Sequence, residues 1–285
     1  MTELDFEFLR GFLKARSGLS LTPEKRYLVE SRLAPVCRRF ELDDLSELTR
    51  GLKGGRDSDL EKAVIEAMTT NETFFFRDKV PFDLFRDVLL PRFLASRRST
   101  RHLRIWCAAA SSGQEPYSLA MLLNEAGSKL AGWQVEIVAT DISTEVLEKA
   151  RAGLYSQFEV QRGLPIQLLL KHFTQVGDQW QISPQIRAMV SFRHLNLIKT
   201  FSQLGVFDIV YCRNVLIYFD PPTKTDVLKR LSTNLASDGA LLLGAAETVI
   251  SLTDSLSPDP QHRGLYRRVE RPVQPPAPMR MAAGR

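Results

Sequence analysis

The stretch RIWCAAASSGQEPYS, residues 104–118, indicates the fold class and the first functional feature of the chain. An apolar run ends in a cluster of small side chains, and Glu115 stands where a helix-like segment begins. Ligands of parallel sheets lie beyond the carboxyl ends of the strands, where small residues let a ligand approach the backbone. We therefore expect the N–H groups of Ser111, Ser112 and Gly113, with the positive end of the helix, to serve as donors.

The chemistry of this loop favours a ligand with a cationic or zwitterionic head group. The chain contains neither G-x-G-x-x-G nor G-x-x-x-x-G-K-[ST], the patterns that hold a dinucleotide or a triphosphate. Glu115 would repel a phosphate, whereas its carboxylate can pair with an amine. The loop therefore predicts a site that does not hold its ligand through a phosphate.

A second acid lies at the end of the next strand-like run. In VEIVATDIS the apolar part ends on Asp141, 26 residues after Glu115. An acid at the end of the second strand can accept hydrogen bonds from both hydroxyls of a ribose. A ribose and an amino-acid head group without phosphate describe S-adenosylmethionine. The alternative for Asp141 alone is a plain N-cap of the helix that follows.

Outward from these two strands, apolar runs alternate with helical segments. The runs cover residues 103–109, 135–140, 207–212 and 239–245, and the helical segments cover roughly 115–126, 143–152 and 221–236. This alternation predicts an α/β domain with a parallel sheet and helices on both faces. Since the runs lack polar alternation, we expect strands buried on both sides. Residues 154–195 break the rhythm and predict a small antiparallel β-subdomain around a turn at Gly177 and Asp178.

Residues 1–68 show no strand pattern and predict an all-helical domain. An apolar helical stripe begins at Phe6 and stops at Gly18, and Thr22 with Pro23 opens the next helix. A domain this small is expected to lean on the rest of the chain. The predicted division is a helical domain over 1–68, a second domain over 69–272, and a tail over 273–285 whose composition predicts disorder.

The composition narrows the possible functions. The 285 residues are 44% hydrophobic and 25% charged, as in ordinary globular proteins. Cys37, Cys107 and Cys212 are far apart and form no CxxC pair, so we expect neither disulfides nor a metal site. The sequence has no signal-peptide layout and no apolar run of membrane length. We therefore expect a cytoplasmic monomer without membrane insertion; the net charge of +5 points only weakly to an anionic partner, and no nucleic acid is expected.

Two further segments place polar residues beside predicted elements. In VFDIVYCRNVLIYFD, Arg213 and Asn214 follow a buried strand, and Tyr218 in the aromatic turn is either functional or plain core. In TTNETFFFRD, residues 69–78, three consecutive phenylalanines cannot all face one core, so at least one is expected to face a groove or a ligand. Arg77 follows them, either in the site or as a solvated residue beside an interdomain hydrophobic latch.

Together these segments resemble one family, the chemotaxis receptor methyltransferases of the CheR type. The matching segments occur in the family's order over about residues 1–270: TTNETFFFRD, IWCAAASSGQEPYSLAM, ATDISTEVLEKARAGLY, FRHLNL, VYCRNVLIYFD and GALLLGAAET. The resemblance implies an all-α N-terminal domain, then a Rossmann-like, S-adenosylmethionine-dependent α/β fold with a small antiparallel β-subdomain. It implies methyl transfer to glutamate side chains in the cytoplasmic helices of chemoreceptors, with S-adenosylhomocysteine as the product.

The same resemblance implies roles for individual residues. Glu115 would hold the amino group at the methionine end of the cofactor, and Asp141 would hold the ribose. Arg77 and Tyr218 would lie near the departing methyl group as the catalytic residues, while Asn196 and Leu197 would flank the adenine. The full set of implied cofactor contacts is Asn71, Thr73, Arg77, Glu115, Asp141, Asn196, Leu197, Asn214 and Val215.

One face of the second helix is a candidate docking surface for glutamate-rich receptor helices. Lys25, Arg32 and Arg39 are spaced by seven residues, so about 20° separates each from the next and all three lie within about 40°. Pro35 is expected to kink or end the helix, which would move its last two arginines to another line. An ordinary solvated face is the alternative. The candidate docking residues are Lys25, Arg26, Arg32, Arg38 and Arg39.

Two other functions remain open at this point. One is a methyltransferase for another acceptor, such as RNA or a small molecule, and the other is a signalling module that binds the cofactor without catalysis. Some members of the family hold a receptor C-terminal peptide with a longer, glycine-containing hairpin loop. Residues 173–192 predict a shorter hairpin with Gly177 as its only glycine, so we expect no such tether.

Overall fold

The computed structural model describes residues 1–55 and 57–269, which form an N-terminal group of helices and an α/β domain. The predicted tail and the last residues assigned to the second domain lie outside the described residues. Of the helices described, none combines the length and the apolar character needed to cross a bilayer. The helices are α1 (Glu3–Ser17), α2 (Arg26–Arg39), α3 (Leu45–Gly54), α4 (Ser58–Met68), α5 (Val80–Leu84), α6 (Leu90–Ser96), α7 (Gln114–Ala126), α8 (Thr144–Ala152), α9 (Gln157–Gln161), α10 (Ile166–His172), α11 (Pro184–Arg187) and α12 (Pro221–Thr233).

The strands form one large and one small sheet. The large sheet has the order β6-β2-β1-β7-β8-β10-β9, with parallel pairing from β6 to β8 and antiparallel pairing of β10 with β8 and β9. The small sheet is antiparallel, in the order β3-β5-β4. The predicted fold class is thereby confirmed. The strands are β1 (His102–Ala108), β2 (Gln134–Asp141), β3 (Leu154–Ser156), β4 (Phe173–Val176), β5 (Gln179–Ile182), β6 (Val190–His194), β7 (Phe207–Cys212), β8 (Leu235–Leu243), β9 (Leu256–Pro258) and β10 (Leu265–Arg268).

The centre of the large sheet is covered on both faces. In β1, Ile105 and Cys107 pack into one hydrophobic cluster, while Trp106 and Ala108 pack into a second cluster on the other face. This follows from the two-residue period of a strand. The indole of Trp106 donates to Oγ1 of Thr140 at 3.0 Å, so its burial leaves no unpaired donor. The prediction of strands buried on both sides is confirmed here.

The N-terminal helices share a hydrophobic cluster of their own. Helix α1 ends at Gly18, whose φ of 79° is left-handed, and an added Cβ would lie 2.7 Å from Cγ2 of Ile198 in the α/β domain. Helix α2 continues through Pro35 to Arg39, so of the two expected effects of Pro35, a kink or an end of the helix, the end is wrong. The apolar side chains on either side of Pro35 are buried in the cluster, and this packing outweighs the backbone hydrogen bond that proline removes.

Three segments of the α/β domain differ from the prediction. Residues 190–194, assigned to the small subdomain, instead form β6 at the edge of the large sheet, paired with β2. Strands β9 and β10 were not predicted. Helix α12 ends at Thr233, and β8 begins two residues later, inside the segment predicted as helix. Strands β6, β9 and β10 are short elements with weak hydrophobic patterns, whereas the third difference concerns only the boundary between α12 and β8, where residues 236–238 at the start of β8 carry no apolar run.

Candidate active site

A cleft opens at the carboxyl ends of β6, β2, β1 and β7. The strand order reverses around β1, which is where open α/β sheets bind their ligands. All of the predicted cofactor-binding and catalytic residues line this cleft; their individual roles stay predictions. They are Asn71, Thr73, Arg77, Glu115, Asp141, Asn196, Leu197, Asn214, Val215 and Tyr218.

The loop after β1 bends sharply beneath the cleft. Ser111 has a φ of 50° and Gly113 a φ of 93°, both left-handed. The N–H of Ser111 donates to Oδ2 of Asp141 at 2.8 Å, and the N–H of Gly113 donates to the carbonyl of Ala110 at 3.0 Å. The expectation that these two N–H groups serve as ligand donors is therefore wrong, because the chain itself uses them to shape the loop.

Asp141 ends β2 and is almost fully buried. Its Oδ2 accepts from the N–H of Ser111, and its Oδ1 accepts from the N–H of Ser143 at 2.9 Å. Burial raises the pKa of this carboxyl, against the main-chain hydrogen bonds that favour its charged form. The N-cap of α8 is Ser143, whose hydroxyl accepts from the N–H of Val146, so Asp141 is not the cap of that helix.

Glu115 lies in the first turn of α7 and is also buried. Its Oε2 accepts from Nη1 of Arg213 at 2.7 Å. Burial raises the pKa of Glu115, and the charge and hydrogen bond of Arg213 oppose that rise. The sequence placed Arg213 after a strand but gave it no role, because its partner is 98 positions away in the chain.

The loop after β7 is held by Glu247, a residue that the site prediction missed. Its carboxylate accepts from five main-chain N–H groups, those of Asn214, Val215, Leu216, Ile217 and Gly244, at 2.7–3.3 Å. Gly244 has no room for a side chain, since an added Cβ would lie 2.8 Å from Nδ2 of Asn214. The glycine and the acid in GALLLGAAET, three residues apart, were the available signal.

The segment 71–78 forms a side wall of the cleft. Phe75 is fully buried, whereas Phe74 and Phe76 are half-buried, so the three rings do not share one core position. Nη1 of Arg77 donates to the carbonyl of Glu72 at 2.7 Å. The guanidinium of Arg77 also lies 5.6 Å from the ring centroid of Phe74. The Arg77 side chain is half-exposed at the cleft.

The N-terminal helices close the cleft from above. Ser17, Leu19 and Met68 line it together with residues of the α/β domain. The N–H of Ser20 donates to the carbonyl of Tyr218 at 2.8 Å. Nδ2 of Asn196 donates to the carbonyl of Arg16 in α1 at 2.6 Å. The helical domain therefore contacts both the aromatic turn and the segment predicted to flank adenine.

Two charged contacts strengthen this interface. Nζ of Lys14 lies 2.6 Å from Oδ2 of Asp220, and this contact, with the hydroxyl of Thr223, lowers the pKa of Asp220 to about 2. Oε1 of Glu66, at the end of α4, accepts from both the N–H and the hydroxyl of Thr144 at the start of α8. The expectation that the small domain leans on the rest of the chain agrees with these contacts.

The structure separates the five predicted docking residues into two groups. Arg32 donates to the carbonyls of Met68 and Thr69 at 2.9 and 3.1 Å, and Arg26 pairs with Glu3 at 2.8 Å. These two arginines therefore make contacts within the helical domain and at the end of α4. The spacing of residues on α2 alone could not indicate these contacts. The exposed members of the set are Lys25, in the turn before α2, and Arg38 and Arg39 at its end.

The described residues contain no cluster of metal-binding side chains. Among residues 1–55 and 57–269, no three His, Cys, Asp or Glu side chains are grouped so that they could hold a metal ion. The thiols of Cys37, Cys107 and Cys212 are free and buried.

The fold and the cleft together define a class of protein. A mostly parallel sheet with a ligand cleft at its switch point, with one acid in the helix turn after its first strand and another at the end of its second, is typical of S-adenosylmethionine-dependent methyltransferases. Residues 4–69 match the family model described as "CheR methyltransferase, all-alpha domain", and residues 71–264 match "CheR methyltransferase, SAM binding domain". The chain belongs to the CheR methyltransferase family.

Curated relatives agree with this assignment. Chemotaxis protein methyltransferase 1 of Vibrio cholerae is 45% identical over 246 residues, which are 85% of this chain and 88% of that protein. Chemotaxis protein methyltransferase 1 of Pseudomonas aeruginosa is 43% identical over 256 residues, 88% of this chain and 92% of that protein. The chemotaxis protein methyltransferase of Vibrio parahaemolyticus is 42% identical over 257 residues, 89% of this chain and 92% of that protein.

Proposed function

We propose that this protein is a protein-glutamate O-methyltransferase acting on methyl-accepting chemotaxis receptors. It converts glutamate side chains in their cytoplasmic helical region into methyl esters, with S-adenosylmethionine as the donor and S-adenosylhomocysteine as the product. We assign the activity to a cytoplasmic monomer. Membership of the CheR family supports the proposal, and the observation that carries it is one cleft into which Glu115 and Asp141 face together with Arg77 and Tyr218.

The acceptor groups of the cleft fit the two polar ends of S-adenosylmethionine. In the described part of the chain Arg213 alone donates to Glu115 and uses Oε2, so Oε1 can accept from the ammonium group. An ionised carboxylate has about four acceptor positions, so Asp141 can also accept from ribose hydroxyls beside its main-chain hydrogen bonds. We assign Asn196 and Leu197 to the adenine, and further cofactor contacts to Asn71, Thr73, Asn214 and Val215.

The reaction needs orientation more than proton transfer. When bound, the cofactor supplies a methyl group on a cationic sulfur; a carboxylate oxygen bonds to the methyl carbon as the carbon–sulfur bond breaks and its electron pair stays on sulfur. A glutamate with a pKa of about 4.3 is already ionised at neutral pH, so no general base is required. Holding two reactants in line supplies roughly 7–11 kcal/mol.

Arg77 and Tyr218 are the residues that we assign to this orientation. The half-exposed guanidinium of Arg77 can contact the incoming carboxylate, and Tyr218 can aim it at the methyl carbon. A grip that is too strong would stabilise the ground state, so the role of Arg77 is modest. Arg77→Ala should lower kcat about tenfold and change cofactor affinity less. Unchanged turnover and unchanged affinity would contradict the assignment.

Transfer to a carboxylate leaves a chemical signature that a labelling experiment detects. Purified protein is incubated with methyl-labelled S-adenosylmethionine and receptor-containing membranes, and the protein fraction is then treated with base. We expect volatile, base-labile methyl on the receptor, which indicates a carboxyl ester. Base-stable label would point to another acceptor, and cofactor binding without transfer would point to a non-catalytic module.

The docking surface can be tested without disturbing the cleft. We assign receptor docking to the exposed cations at the two ends of α2, and Lys25→Glu combined with Arg39→Glu reverses two of them. Receptor methylation should fall while the affinity for S-adenosylhomocysteine stays constant. The matched control combines Arg98→Glu with Lys229→Glu, which makes the same charge change at exposed positions of the α/β domain. Equal losses in both double variants would mean that only overall charge matters.

A further inference from the structure

Arg213 joins two walls of the cleft through one buried guanidinium. Its side chain is only 2% exposed. Nη1 donates to Oε2 of Glu115 at 2.7 Å, and Nη2 donates to Oδ2 of Asp78 at 2.6 Å and to the carbonyl of Arg77 at 3.0 Å. The contacts therefore connect the predicted amino-group ligand on α7 with the loop that carries the predicted catalytic arginine.

The three side chains in contact carry one net negative charge, because two carboxylates face one guanidinium. A buried charge is stable only when it is paired and hydrogen-bonded. Burial acts against the charge of Arg213, but Glu115 and Asp78 outweigh it and raise its pKa. Asp78 is 42% exposed, so water hydrates its charge, whereas Glu115 is 11% exposed and lines the cleft, where one cationic group of a ligand would balance its charge.

The loop that Arg213 holds has an unusual backbone. Phe76, Asp78 and Lys79 have left-handed φ values of 52°, 68° and 49°. Residues other than glycine adopt this region only when the surroundings compensate for its cost. The hydrogen bond from Arg213 to the carbonyl of Arg77 and the ion pair with Asp78 supply that compensation.

We infer that Arg213 is a positioning residue for the amino-acid end of the cofactor. It keeps Glu115 ionised with Oε1 directed to the cleft, and it fixes the Arg77 loop at a constant distance from that carboxylate. The inference rests on the proposed function, because it needs a ligand with an ammonium group. Arg213 acts through Glu115 and the Arg77 loop and is not assigned a contact with the reacting atoms.

Loss of Arg213 should therefore make ligand binding sensitive to pH. The other titratable groups that face Glu115 are Arg77, Glu247 and the buried Cys107, Tyr211 and Cys212. Arg77 alone among them is cationic, and its guanidinium donates to the carbonyl of Glu72. Without Arg213, burial would raise the pKa of Glu115 further, so its charge would be lost as the pH falls.

Calorimetry with two nucleosides tests the inference. S-adenosylhomocysteine carries the amino-acid end, and 5′-methylthioadenosine keeps the adenosine but lacks that end. Arg213→Met should weaken S-adenosylhomocysteine about tenfold or more at neutral pH and leave 5′-methylthioadenosine within about twofold. The loss for S-adenosylhomocysteine should grow from about pH 8 to about pH 6, while the unaltered protein changes little over that range.

Arg213→Lys is the conservative companion. It keeps the charge and should restore the flat pH profile, but one ammonium cannot hold Glu115 and the Arg77 loop as a planar guanidinium does, so affinity stays several-fold low. If Arg213→Met does not fold, this variant carries the same comparison between the two nucleosides. Equal weakening of both nucleosides, or of neither, would overturn the inference. Failure of the unaltered protein to bind either nucleoside would instead overturn the proposed function.

Discussion

The helical domain and the α/β domain each bury a carboxylate in the first turn of a helix, and the two carboxylates have opposite surroundings. Asp5 in α1 accepts from the N–H and hydroxyl of Thr2 and from the hydroxyls of Ser46 and Thr49, at 2.7–3.0 Å. Ser46, followed by Thr2, holds the pKa of Asp5 well below its usual range. Among the residues that the structure describes, Glu115 in α7 has one donor, and burial raises its pKa.

The difference separates a structural acid from the acid that we propose binds the ligand. The oxygens of Asp5 are occupied by groups of its own chain, so this carboxylate ties α1 to α3 and has little capacity left. Glu115 keeps acceptor positions open towards the cleft at a cost in solvation. Burial alone therefore does not distinguish the two acids, whereas unfilled acceptor positions beside a cleft do, and they support the proposed role of Glu115.

The largest effect should come from Glu115→Gln. The variant removes the charge that pairs with the ammonium group, so the affinity for S-adenosylhomocysteine should fall roughly 10- to 150-fold. Isothermal calorimetry measures the loss, and thermal unfolding checks that the fold is retained. Glu145→Gln, at an exposed position in the first turn of α8, is the matched control and should bind normally. If Glu115→Gln lowers the affinity by less than about threefold, the proposed ligand-binding role of Glu115 is contradicted.

Asp5→Asn should have the complementary effect. It exchanges an acceptor for a donor among hydroxyl groups, so the free energy of unfolding should fall by about 1–2 kcal/mol. The affinity for S-adenosylhomocysteine should stay constant, because Asp5 does not line the cleft. Chemical denaturation measures the change, with Asp59→Asn as the control, an exposed acid in the first turn of α4. A change in affinity without a change in stability would reverse the assignment of the two acids.

The smallest effect is a separation of two pH dependences. The folded pKa of Asp5 lies below its unfolded value, so its contribution to stability is present above the unfolded pKa, about 4, and is lost only as the pH falls through the folded pKa. Glu115 and Asp141 have raised pKa values, and the ligand contacts that we propose need both carboxylates ionised. Acidification from about pH 6 to pH 5 should therefore weaken S-adenosylhomocysteine a few-fold before the fold responds. Calorimetry measures the affinity and circular dichroism measures the folded fraction across this range. Loss of affinity and of folded structure at the same pH would contradict the contrast between Asp5 and Glu115.

The sequence predicted the parts of the molecule that depend on local pattern. The four inner strands and the acids that follow the first two of them stand out because apolar runs and chain order are visible along the sequence. Residues 190–194 were assigned to the wrong sheet because an edge strand is half-exposed and alternates like an antiparallel one. The pattern of a short strand does not specify its partner.

The unpredicted parts of the site depend on contacts between distant positions. Arg213 meets Glu115 across 98 positions, and Glu247 meets the loop after β7 across about 30. Arg32 belongs to the predicted docking residues on α2, but its guanidinium donates to the carbonyl of Met68 at the end of α4. No periodicity on one element indicates such pairings, because they are set by packing between elements.

Ser17, Leu19 and Met68 of the helical domain line the cleft of the α/β domain. The boundary between the two domains is therefore a poor position at which to exchange one domain for that of another protein. Under the proposed function, a chimaera that takes its first 68 residues from another member of the family would also change the residues that cover the nucleoside. If the exposed cations of α2 dock the receptor as proposed, a designer who wants to change receptor choice alone would graft only the outward surface of α2 and leave the ends of α1 and α4 native.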